Sequence, residues 1–75
     1  MSRAMIAAHL AKAEEAVAIG ERNISRQRRL IDQLERDGHD VAAARALLAT
    51  FEESQALHVF DMDRLRRELA RSPMT

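Results

Sequence analysis

The chain has 75 residues, no cysteine and 3% aromatic residues without Trp or Tyr, which excludes a disulfide framework and a thiolate metal site and leaves a small core. Lys plus Arg balance Asp plus Glu at 12 each, so no overall field draws the protein to nucleic acid or to acidic lipid. The hydrophobic fraction is 47%, much of it alanine, a composition that favours one domain of long helices, supported by a second chain.

The N-terminal segment MSRAMIAAHLAKAEEA has an apolar run too short for a membrane span or a signal peptide, so a cytoplasmic protein is expected. Ser2 is placed to cap a first helix over about residues 3–37, which nothing breaks except Gly20, tolerable at about 1 kcal/mol relative to alanine. Along it Ile6, Leu10, Ala13, Val17, Gly20, Ile24, Gln27, Ile31 and Leu34 follow alternating steps of four and three. That spacing is the seam of a coiled coil, with Leu10 at an a position and Ala13 at a d position.

Asp37-Gly38-His39-Asp40 interrupts the pattern. Gly38 suits a left-handed helix end, and Asp40 suits the N-cap of a second helix over about residues 41–71. There Val41, Ala44, Leu48, Phe51, Gln55, His58, Met62, Leu65 and Leu69 repeat the alternation until Ser72-Pro73, where proline disfavours further helix. The expected fold is all-α: an antiparallel helical hairpin, with a turn at 38–40 and a rod about 50 Å long from the helical rise.

A short turn fixes which residues face each other. Counted outward from it, Gly20 is expected opposite His58, Ala13 opposite Leu65 and Gln27 close to Gln55, so that Gly20, Gln27, Gln55 and His58 form a polar layer in the core. One flank then pairs Glu14 with Arg66, Arg28 with Glu52 and Glu35 with Arg45, opposite charges that specify alignment more than stability. The other flank carries Ala16, Asn23, Leu30, Leu47 and Ser54, with Ile19, Ala43, Leu57 and Phe60 beside them. A lone hairpin would expose this apolar strip, so Ala16, Ile19, Leu30, Leu47, Leu57 and Phe60 are the expected interface, joining two hairpins into a four-helix bundle.

Chemistry finds little footing. His9, His39 and His58 lie at different heights along the rod and no Glu-x-x-His spacing is present, which argues against a metal ion, and no cofactor motif stands in the chain. His58 on the seam reads as a packed core residue, and a buried neutral histidine would cost stability as pH falls. Glu14-Glu15 and Glu52-Glu53 are adjacent pairs whose side chains diverge on a helix, and there is no phosphate-binding glycine loop, so no enzymatic activity is expected. Arg22, Arg26, Arg28 and Arg29, and again Arg64, Arg66, Arg67 and Arg71, form basic clusters intermixed with acids. Solvated ion-paired faces explain them best, and a small RNA- or DNA-binding regulator is the alternative.

The run GERNISRQRRLIDQLERDGHDVAAARALLATFEESQALHVFDMDRLRREL, from Gly20 to Leu69, resembles a kind of short, uncharacterised bacterial protein. The resemblance rests on the Gly-Glu, Gln-Arg, Leu-Glu, Gly-His-Asp, Phe-Glu and Leu-His pieces in that order. It implies a bacterial source and carries no activity, cofactor or site. The expected role is therefore read from the faces: protein–protein interaction, as a homodimer or on another helical protein.

Overall fold

The computed structural model describes residues 2–73. Two helices, α1 (Arg3–Arg36) and α2 (Ala42–Arg71), pack against each other as an antiparallel hairpin, and no strand occurs among the described residues. The rod measures 60 × 14 × 13 Å, the length expected of helices of this size plus their ends.

Local chemistry sets the element ends. Ser2 is extended, and its Oγ accepts from the Met5 N–H at 3.1 Å, satisfying one of the first unpaired donors of α1. At the other end Gly38 has φ 74°, the left-handed region that a side chain would strain. This lets the His39 N–H reach the Leu34 carbonyl at 2.9 Å and the Gly38 N–H reach that of Glu35 at 3.1 Å. The pair of bonds is a Schellman closure. The N-cap of α2 differs from expectation: it is Val41, not Asp40, and Val41 provides no side-chain cap. Asp40 instead closes a short turn ahead of the helix, its Oδ1 accepting from the Ala42 N–H at 2.9 Å.

The charged flank aligns the two helices. Arg28 meets Glu52 at 3.0 Å, Arg45 meets Glu35 at 2.9 Å and Arg66 meets Glu14 at 3.1 Å, and the residue numbers of each pair add to 80. All six side chains are about half exposed, so each pair contributes at most about 1 kcal/mol and screens with salt.

The core is thin and one-sided. Ile6, Ala13, Val17, Gln27 and Ile31 of α1 are buried, whereas Leu65 is the buried residue of α2 among those described. Ile6, Ala13 and Leu65 form the densest cluster, with Leu10, Met62 and Leu69 packed around it near the open end. The expected facing of Ala13 and Leu65 is thus realised, while α2 leaves much of its apolar surface outside.

Candidate functional site: a groove on the apolar flank

Midway along the rod the expected polar layer does not form as a unit. Gln27 is buried, and its Nε2 donates to the Ala44 carbonyl at 2.9 Å. The Gln55 Nε2 donates to the Val17 carbonyl at 2.8 Å. Each glutamine is therefore tied to the opposite backbone rather than to its counterpart. Both bonds use the second lone pair of a helical carbonyl, so neither breaks the helix it reaches.

Gly20 faces Gln55, not His58. A Cβ built on Gly20 would lie 2.6 Å from Gln55 Cδ and 3.2 Å from its Nε2, so the amide occupies the space that any side chain at position 20 would need. His58 is exposed, which corrects its expected place in the core and removes the basis for a burial-driven pH dependence. Gln55, three residues nearer the loop than His58, extends its amide over Gly20 with its Nε2 on the Val17 carbonyl.

The displacement opens a groove of about 230 Å³ on the apolar flank, lined by Ala16, Ile19, Gly20 and Asn23 of α1 and by Phe51, Ser54, Gln55 and His58 of α2. Gln55 Oε1 beside it is buried without a hydrogen-bond partner, a condition that costs about 1–3 kcal/mol. Around the groove Ile19, Leu30 and Leu47 are exposed, Leu57 is 72% exposed and Phe60 is 66% exposed. Ala16 is half-buried at the groove wall. Exposed apolar side chains scattered singly are ordinary, but here Ile19 lines the groove and the heptad positions of the other four set them on or beside the same flank.

Toward the open end the groove continues into a notch lined by His9, Lys12, His58, Asp61 and Arg64. Sequence spacing had separated His9 from His58, whereas the structure brings both to one notch. Arg64 is bound by Asp61 at 2.6 Å and by Glu68 at 2.7 Å, and its hydrogen bond with Asp61, then that with Glu68, hold the guanidinium pKa above its ordinary value. Among the described residues no group of three or more His, Asp or Glu side chains is placed to hold a metal ion, and no helix is long and apolar enough to cross a membrane.

The arginine clusters divide. Arg28, Arg64 and Arg66 are ion-paired, whereas Arg22, Arg26 and Arg29 make no ion pair among the described residues and line one shallow surface with Glu21 and Ser25. The groove itself was not legible in the sequence, although Gly20 and Ala16 on a flank of larger apolar residues were its signal. No known family, curated protein or solved structure matches the chain.

Proposed function

We propose that this hairpin is a non-enzymatic association module that dimerises through its apolar flank into a four-helix bundle. The observation that carries the reading is the exposure of Ile19, Leu30, Leu47, Leu57 and Phe60, on and beside the flank whose groove Ile19 lines. Area supports it. The chain exposes 5461 Å² at 8.5 kDa, whereas a folded monomer of that mass exposes about 4,650 Å². The excess, roughly 800 Å², is what one partner buries in a standard interface.

Apolar area is also what the fold lacks. With one buried residue on α2 among those described, the hairpin alone removes little surface from water, and each 100 Å² of apolar area covered by a second copy adds about 2.5 kcal/mol before association costs. Light scattering on a sizing column tests the reading. The wild type is expected at twice the chain mass and the variant carrying Leu30→Glu and Leu47→Glu at one chain mass, both still helical by circular dichroism. An equal, single-chain mass for both would defeat it.

A second reading rests on Arg22, Arg26 and Arg29, which line one side of α1 and make no ion pair among the described residues. It makes the protein a small RNA- or DNA-binding regulator. Loss of an RNA or DNA gel shift in Arg22→Ala/Arg26→Ala/Arg29→Ala, with a steep salt dependence in the wild type, would favour it, and absence of any shift at low salt would end it.

A further inference from the structure

We infer that the outward face of α1 near the turn, carrying Arg22, Arg26, Arg29 and Arg36, is a phosphate-contacting surface that docks along the major groove of duplex DNA. The inference rests on the second reading above and names its ligand and its contacts.

The chain is neutral as a whole, with 12 basic and 12 acidic residues, so a positive surface arises only where charges segregate. They segregate here. With Leu10 at an a position, Arg22, Arg29 and Arg36 share the f position and Arg26 takes a c position, the side of a helix turned away from its partner. From residue 22 to residue 36 the outward b, c and f positions of α1 hold four arginines and one acid, Asp32, a net charge of +3 over about 21 Å of helix. From residue 4 to residue 15 the same positions hold Lys12 and Glu15, which cancel.

These arginines are open to an anion. All four are exposed, and none forms an ion pair among the described residues, whereas Arg28, Arg45, Arg64 and Arg66 all do. The nearby acids Glu21 and Asp32 hold none of them. Arg36 donates to the neutral Gln33 Oε1 at 2.8 Å and so keeps its charge. Arg22, Arg26 and Arg29 line one shallow hollow of about 370 Å³ with Glu21 and Ser25, where the serine hydroxyl adds a neutral donor.

Neighbouring side chains select the backbone, and shape selects the duplex. Both phenylalanines, Phe51 and Phe60, belong to α2, so the row offers no ring on which an unpaired base could stack. The Gln33 amide on this face is engaged at both ends, by Asp37 and by Arg36, and is not available to read a base edge. A single helical ridge of arginines fits the major groove of B-DNA, about 12 Å wide, with phosphates along both rims. The deep, narrow major groove of an RNA duplex excludes such a ridge.

Fluorescence anisotropy of a labelled DNA duplex of about two helical turns, titrated with the full chain up to about 100 μM, tests the surface. Four phosphate contacts per bound chain predict a slope of about −3.6 in log K against log salt, a loss of about 100-fold between about 50 and 200 mM. Arg22→Ala/Arg29→Ala is expected to weaken binding about ten-fold or more at about 100 mM salt and to make the slope shallower by about 2, with helix content unchanged by circular dichroism. Arg67→Ala/Arg71→Ala removes the same charge from α2 and is expected to change affinity less than about three-fold. Equal losses from the two double variants, or an RNA duplex or single-stranded DNA of the same length bound as tightly as the DNA duplex, would overturn this surface and leave nucleic-acid binding standing. No binding to any of the three at about 50 mM salt would overturn both.

Discussion

Gly20→Ala tests the central packing feature, because helix propensity and tertiary contact oppose each other there. In an exposed helix interior the change would stabilise by about 1 kcal/mol through helix propensity. Here the added Cβ would fall 2.6 Å from Gln55 Cδ, inside van der Waals contact, so the glutamine must move. Moving it forfeits the 2.8 Å bond from Nε2 to the Val17 carbonyl, about 1 kcal/mol net, and repacking around the new methyl adds about 1 kcal/mol more. Release of the unpartnered Gln55 Oε1 returns about 1 kcal/mol, so the expected result is about no net change in the wild type. In a Gln55→Ala background the obstruction is gone, and Gly20→Ala should stabilise by about 1 kcal/mol. The coupling, about 1 kcal/mol, is measured by urea unfolding of the four proteins at one fixed protomer concentration, since association shifts apparent stability. A Gly20→Ala gain of equal size in both backgrounds would refute the placement of Gln55 over Gly20.

Three further outcomes follow from the same coordinates. Leu65, at 3% exposure the most buried core residue described, anchors the cluster with Ile6 and Ala13, so Leu65→Ala should cost about 2–5 kcal/mol and abolish a cooperative melt at room temperature. Replacing Gly38, at φ 74°, by Ala should cost about 1 kcal/mol and speed amide exchange at His39, whose N–H is held by Leu34. Reversing Glu35 to Arg should cost less than about 1 kcal/mol, and adding Arg45→Glu should restore the loss at low salt but have no effect at about 1 M NaCl.

The seam and the charged flank were legible because both follow from a fixed repeat. Alternating steps of four and three identify Ile6, Ala13, Val17 and Ile31 as inward-facing whatever the partner does, and opposite charges at Glu14, Arg28 and Glu35 select one alignment from several. Which residue fills a given layer was not legible to the same degree. That depends on how far each side chain reaches and on the acceptor it finds: Gln55 covers Gly20 with its Nε2 on the Val17 carbonyl, whereas His58 is exposed. The N-cap of α2 escaped for a related reason: Asp40 has the right chemistry, but the Schellman closure at Gly38 spends one more residue in the turn than a direct cap would allow. The groove arose where Gly20, which sequence reading had assigned to interdigitation, adjoins Ala16 of the apolar flank, leaving a hollow that the hairpin's own second helix only partly fills.

The apolar flank carries the account, and sedimentation equilibrium of the unmodified chain over a dilution series tests it most directly. A mass of about 17 kDa, twice the 8.5 kDa of the chain, falling toward one chain mass on dilution, is the predicted result. A mass of one chain at every concentration up to about 100 μM, where even a weak interface of this size should be populated, would contradict it.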